Sequence, residues 1–334
     1  MQGRKEVDRS YERRITNRLK AEPKVVRDYM RSISALTATT RHSYLGYVSN
    51  FVAFLEENNG ISGANYKGFA DIKKLDIDAY MESIKYNAKT GEEASASIRN
   101  AKLSAVNSFF EFLIDNEIIT KNPCAAVKKV KEHKEKSVTY LTKDEVDGIK
   151  KAILDTPRRG GNFCDPWRFR DYAIFVLGCT TGLRNAAIRE INVEDLDLEN
   201  RQVTVTEKNN TTKVVYLSGE TCDALEQWLT ERKKILKRKN TRCDAVFISS
   251  QLKRISAVAL GDVLKKYAGV NGKHITPHKM RSTCAMNLYE ATGDIYMVAQ
   301  QLGHKSIRNT QIYAKATKEQ MRNTANLMDR IYSK

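Results

Sequence analysis

A chain of 334 residues with 41% apolar content can bury a substantial core, and its length suits two domains better than one. Its 57 Lys and Arg exceed its 40 Asp and Glu by 17 charges, well beyond the ~2–8 usual for a small domain, so a polyanionic partner, most simply nucleic acid, is expected. Six cysteines (124, 164, 179, 222, 243 and 284) form no C-x-x-C pair and do not cluster with the five histidines. No run approaches the ~18 apolar residues of a membrane span; structural zinc, a disulfide framework and a membrane protein are therefore set aside, and a cytoplasmic, nucleoid-associated protein with reduced thiols is expected.

Residues 1–22 are charged and weakly apolar and read as a basic arm or frayed helix. Periodic stripes then predict four amphipathic helices over residues 23–126. Val25, Val26, Tyr29, Met30 and Ile33 make the first stripe; Tyr44, Tyr47, Val48, Phe51, Phe54 and Leu55 make the second. A third helix near 77–84 is introduced by Asp76, and a fourth carries Ile98, Leu103, Val106, Phe109, Phe110 and Leu113. Aromatics at this spacing are packing residues, and the whole reads as a small all-α domain. Residues 127–138 follow as a basic linker, whose Lys128, Lys129, Lys131, Lys134 and Lys136 can track a phosphate backbone or simply solvate a hinge.

A second, mostly helical domain is expected over 139–318. Thr142 and Glu145 form a capping-box signature before Val146, Ile149 and Ile153. An apolar helix through Tyr172, Ile174, Phe175 and Leu177 runs into Thr180-Thr181-Gly182, followed by Arg184. Residues 201–206 and 212–217 alternate as a β-hairpin with Lys208-Asn209-Asn210 at its tip. Ser218 opens a long helix through Trp228 with a basic end, residues 246–249 suggest a short strand, and Ser256 opens another helix.

The densest stretch is residues 276–313. Thr276 is a candidate N-cap with Pro277 in the first helical position, so His278 and Arg281 share one face of a first turn. Asp294 can cap a second helix that Gly303 closes. Ser306 can open a third helix bearing Tyr313, which leaves His304 on the turn between them.

Taken in order, Thr181-Gly182-Leu183-Arg184, Lys208 on a hairpin, His278-x-x-Arg281, Leu302-Gly303-His304 and Tyr313 resemble the tyrosine recombinase (integrase) family over nearly the whole chain. The resemblance implies a core-binding helical domain joined to a mainly α catalytic domain with a small antiparallel sheet. It also implies Arg184, Lys208, His278, Arg281 and His304 as catalytic residues and Tyr313 as nucleophile, acting on specific sites in double-stranded DNA. Lys213 competes with Lys208 for the hairpin role. Two positions depart from the family pattern: Ala187 stands where an acidic residue is usual, and Ser282 where many relatives carry a second His. A weak stripe of Met321, Ala325, Met328 and Ile331 in the tail, 319–334, is expected to dock on a neighbouring protomer of a DNA-bound tetramer.

The residue types support the same chemistry. A phenol, with a pKa near ~10, attacks a phosphodiester only with help from a base and a strongly electropositive site. Two arginines offer fixed forks for the non-bridging oxygens, His278 can accept the phenolic proton, and Lys208 can protonate the leaving oxygen. With that much positive charge and no carboxylate cluster, neither a metal nor ATP is expected. A type IB topoisomerase, or a DNA-binding protein with a disabled site, are the alternatives.

Overall fold

The computed structural model describes the chain apart from residues 1, 88–89, 132–137, 157–164, 207–210, 271, 273, 305, 314–331, 333 and 334. It divides into two compact units, residues 5–135 and residues 1–4 with 136–334.

The first unit holds five helices: α1 (Gln2–Leu19), α2 (Lys24–Ser32), α3 (Ala38–Asn59), α4 (Lys74–Ser83) and α5 (Ala96–Asp115), with a 3-10 turn at Phe69–Asp71. The stretch that reads as a basic arm or frayed helix is thus a regular helix. Its apolar content is small but well placed: Ile15 is fully buried and Leu19 packs against the same core. Glu12 meets Arg41 of α3 at 2.7 Å, and Tyr11 stands edge-on to His42 at 5.4 Å. Inside, rings meet edge to face, Tyr29 with Phe109 at 5.5 Å and Phe51 with Tyr80 at 5.0 Å, the offset geometry that ring quadrupoles favour. Asp76 does not precede α4 as expected. It lies in the first turn, where its carboxylate accepts the Lys73 N–H at 2.8 Å.

The end of this unit also differs from the composition-based reading. Val127 and Val130 pack against its core, and the Asn100 side chain brackets Val130, donating to its carbonyl at 2.9 Å and accepting its N–H at 2.9 Å. Five lysines in nine residues mask two valines, so the start of the expected linker is a pinned segment without regular secondary structure. Lys128, Lys129 and Lys131 are exposed along it, and Lys134 and Lys136 lie outside the described residues.

The second unit is mainly helical, with α6 (Lys143–Leu154), α7 (Trp167–Thr181), α8 (Asn185–Glu190), α9 (Gly219–Arg238), α10 (Ala257–Lys265), α11 (Pro277–Thr292) and α12 (Ile295–Leu302). Between α8 and α9 lies an antiparallel sheet of order β1-β2-β3, formed by β1 (Leu196–Asp197), β2 (Gln202–Thr206) and β3 (Thr212–Tyr216). Val203 pairs with Val215, both buried, while Thr204 and Val214 face outward. The two-residue β1 is too short to leave a sequence pattern. The strand expected at 246–249 is absent: Val246, Phe247 and Ile248 are fully buried, but only isolated bridges, Asn192 with Ala245 and Ile248 with Arg254, form there. Arginine side chains also bond main-chain carbonyls here, Arg232 Nε donating to Ala245 O at 2.9 Å and Arg254 Nη1 to Arg189 O at 2.8 Å.

Helix α7 is central, packed by α6, α9, α10 and α11. Buried Asp171 on α7 accepts from Arg170 at 2.7 Å and from Tyr267 at 2.9 Å, so a carboxylate taken out of water keeps its partners. Where α11 approaches α7, Met280 packs over Gly178, and a Cβ there would lie 2.6 Å from Met280 Cε and push that side chain aside.

Candidate active site

The site begins where α7 stops. Gly182 caps the helix in the left-handed conformation, φ +65°, and donates its N–H to Gly178 O at 3.1 Å. The positive φ disfavours a side chain, and a Cβ there would also crowd Leu302 Cδ2 at 2.6 Å and Cys284 Sγ at 3.2 Å. Leu183 turns into the core, and Arg184 becomes the N-cap residue of α8, with extended backbone and an exposed side chain. Its guanidinium makes a long contact, 3.5 Å, with Gly303 O.

Helix α11 starts as the sequence predicts. Thr276 Oγ1 accepts the Lys279 N–H at 3.1 Å and Pro277 occupies the first turn. His278 is exposed on that turn, whereas Arg281 is 7% exposed and fully aimed. Its Nη1 donates to Gly182 O at 2.6 Å and its Nη2 to Leu302 O at 2.7 Å, tying the end of α7 to the end of α12.

Helix α12 is short and strongly capped. Asp294 accepts the N–H groups of Tyr296 and Met297 at 2.7 and 3.1 Å, and Gly303, φ +63°, closes the other end. The carbonyl end of a helix carries partial negative charge, and here it collects cations. Lys213 of β3 donates to Gln300 O at 2.8 Å and Gln301 O at 3.1 Å, Arg281 takes Leu302 O, and Arg184 approaches Gly303 O. These acceptors are neutral, so the bonds orient the cations without cancelling their charge. Lys208, the residue preferred for the hairpin role, lies outside the described residues, as does the rest of the hairpin tip.

His304 follows at once. Its backbone N–H reaches Ala299 O at 2.9 Å, and its Nδ1 lies 2.8 Å from Thr310 Oγ1. Partial burial, and after it the positive fields of Arg281 and Arg184, push its pKa down to about 4, so the ring is neutral at ordinary pH.

The stretch beyond His304 is not the helix expected from Ser306. It forms two successive 3-10 turns, Ile307–Asn309 and Gln311–Tyr313, and Ser306 makes no side-chain cap. Thr310 is fully buried between them, and its carbonyl accepts the Tyr313 N–H at 2.9 Å. The Thr310 hydroxyl points to His304 rather than outward, which favours tight turns over a continuous helix. Tyr313 is 3% exposed and belongs to an apolar cluster with Ala285, Met286, Val298 and Leu302. The fold thus gathers Arg184, Arg281 and His304 at one helix end, with Tyr313 one turn away through Thr310 and seated in apolar surroundings.

Thr310 escapes a reading of the sequence, because a Thr three residues before a Tyr has no distinguishing pattern. Of the two departures from the family pattern, Ala187 packs in the apolar core and Ser282 is buried on α11. Among the described residues no helix is long and apolar enough to cross a membrane, and no group of three or more His, Cys, Asp and Glu is placed to hold a metal.

Comparison with known proteins identifies the family. The Phage integrase family matches residues 139–320. A tyrosine recombinase XerC of Roseiflexus castenholzii is 28% identical over 286 residues, covering 85% of each chain. A XerD of Oceanobacillus iheyensis is 27% identical over 296 residues, 88% of this chain and 93% of its own. In fold, the chain is similar to XerH recombinase bound to difH substrate, with a TM-score of 0.62 at 16% identity over 90% of this chain and 82% of that one. A lambda integrase dimer bound to a core site gives 0.61 at 19% identity, over 85% of this chain and 94% of that one. With the family matched over more than half its length, and the arginines and His304 held at one helix end, the chain belongs to the phage integrase family and is a tyrosine recombinase.

Proposed function

We propose that this recombinase exchanges strands between specific sites in duplex DNA through a covalent bond from Tyr313 to a 3′ phosphate. The observation that carries the reading is the gathering of Arg184, Arg281 and His304 at the end of α12, beside the turn that bears Tyr313. In the first step Tyr313 Oη gives its proton to His278 and bonds to phosphorus; the P–O5′ bond breaks, and Lys208 protonates the departing oxygen. The 5′-hydroxyl of the partner duplex then attacks the phosphotyrosyl bond and releases the tyrosine. Each bond broken is matched by one formed, so the scheme needs no ATP. Arg184 and Arg281, joined by His304, bind the non-bridging oxygens most strongly as charge builds in the transition state.

Tyr313 attacks only after its turn has left the apolar seat among Ala285, Met286, Val298 and Leu302. The lysines at 128, 129, 131, 134 and 136 contact the phosphate backbone, and the tail 319–334 links protomers of a tetramer on DNA. A suicide duplex carrying the cognate site tests the chemistry. Native protein should accumulate a covalent adduct and Tyr313→Phe none, while both still shift the duplex; adduct in the Phe variant would overturn the assignment. Exchange between two labelled sites separates a recombinase from a topoisomerase, which reseals only the original strand.

A further inference from the structure

His304 is a neutral ring beside two guanidinium groups, and a neutral imidazole carries a single N–H. Which nitrogen holds it decides whether the ring can donate to an anion held by those arginines. The only described polar partner of the ring is Thr310 Oγ1, 2.8 Å from Nδ1. Thr310 is fully buried, so its hydroxyl proton needs an acceptor inside the protein. Were Nδ1 to carry the proton, the hydroxyl would accept it, and its own proton would require a further acceptor in that enclosed place. With the hydroxyl donating to Nδ1, both groups are satisfied and the ring proton is on Nε2.

We propose that Thr310 is a positioning residue that sets the tautomer of His304: its hydroxyl donates to Nδ1, leaving Nε2–H as the donor for a phosphate oxygen held by Arg184 and Arg281. The inference rests on the recombinase reading for what Nε2–H serves, but not for the tautomer itself. Thr310 also accepts the Tyr313 N–H through its carbonyl at 2.9 Å, so one buried residue ties the ring's orientation to the turn that carries the nucleophile. The groups facing the ring are Arg281 from α11, Arg184 from the start of α8 and the Thr310 hydroxyl. The two guanidinium groups cannot accept a proton, and the hydroxyl could accept one from Nδ1 only by leaving its own proton without a described partner.

The test has two arms on the full-length protein. Two-bond nitrogen–proton NMR of the DNA-free protein, with the His304 signal identified by its loss in His304→Gln, should find the Nε2–H form in native protein and in Thr310→Ser. Thr310→Val, nearly equal in size but without the hydroxyl, should mix the tautomers. A native ring protonated at Nδ1 overturns the proposal whatever the variants do. In single-turnover cleavage of a suicide duplex, Thr310→Val should slow bond formation about 10–100-fold, the range for losing a group that orients a functional histidine, with duplex affinity unchanged. Thr310→Ser should restore most of the rate, and in a His304→Gln background Thr310→Val should add nothing. A slower rate in Thr310→Val that Ser does not rescue, or that persists without His304, marks a packing role and overturns the inference. Adduct persisting in Tyr313→Phe would instead sink the recombinase mechanism and leave the tautomer result standing.

Discussion

In the unit of residues 5–135 the buried centre is a run of ring contacts, Tyr29 on Phe109 and Phe51 on Tyr80 and Phe110. In the unit of residues 136–334, arginines cross from one element to another and end on main-chain carbonyls: Arg232 on Ala245, Arg254 on Arg189, and Arg281 on both Gly182 and Leu302. Ring contacts are apolar and leave nothing behind for chemistry. A guanidinium on a neutral carbonyl is fixed in direction and keeps its charge, so the atoms that hold this unit together at the end of α12 are also those that can meet a phosphate. On the proposed mechanism, stability and chemistry share residues in one unit and not in the other.

The sharpest way to break this contrast is at the arginines. Arg281→Lys should lower the cleavage rate by about 10²–10³ and also cost about 2–4 kcal/mol of stability, because a lysine cannot serve both carbonyls and leaves a buried acceptor unsatisfied. Arg184→Lys, whose side chain is exposed and lies at a long 3.5 Å from Gly303 O, should match the fall in rate with a smaller change in unfolding midpoint. Equal stability changes in the two variants would remove the distinction. In the ring-packed unit the reverse holds: Phe109→Ala, fully buried, should cost about 3–5 kcal/mol in chemical denaturation, and amides of α3 and α5 should become less protected from hydrogen exchange.

Gly182→Ala probes the join between fold and site. The φ of +65° costs an L-residue about 1–2 kcal/mol, and the added methyl, 2.6 Å from Leu302 Cδ2, costs about 1–3 kcal/mol more in overpacking, displacing the end of α12 and its cations. Thermal denaturation with adduct formation should show stability and activity falling together.

What is legible before folding is mostly local. Thr142, Ser218, Ser256, Thr276 and Asp294 each accept an N–H of the turn they open, because capping depends on neighbours in sequence. The arginines and His304 are legible from their motifs, but nothing in the motifs says that the end of α12 is the scaffold that orients them. Lys213 shows why: its place on the hairpin suggests only a rival for a catalytic role, yet it spans from β3 to Gln300 and Gln301, a contact 87 residues distant in sequence. Tyr313 reads as helical because Ser306 looks like a cap. The Thr310 hydroxyl, engaged with His304, leaves that region as two short turns. Residues 127–130 read as linker because lysine spacing conceals Val127 and Val130, whose partners lie on another part of the chain.

His304 gives a smaller effect with a definite sign. Its pKa is about 4 in the folded chain against an ordinary value of about 6.5, so between those values the unfolded chain binds the extra proton and the folded chain does not. Stability therefore falls as pH drops from about 6.5 to about 4, and below that window this group subtracts nothing further. His304→Gln should flatten that part of the stability curve, and an unchanged curve would mean that burial and the neighbouring Arg281 and Arg184 do not depress the ring as their positions imply.

The weakest expected effect lies where the ring-packed unit itself turns polar, at Asn100. Asn100→Ala removes both bonds to Val130 and should cost about 1–2 kcal/mol, read as faster exchange at the Val130 amide. Its consequence for DNA separates two roles for the neighbouring lysines. Replacing Lys128, Lys129 and Lys131 with Gln should lower the dependence of log affinity on log salt by about 0.9 for each phosphate that a lysine no longer neutralises. Asn100→Ala keeps those charges and should leave the slope nearly unchanged while weakening affinity, since three lysines on a loosened segment pay an ordering cost on binding that a pinned one has already met. If the triple Gln chain binds with the native salt slope, the three lysines only solvate the surface, and the pinned segment serves the packing of Val127 and Val130 alone.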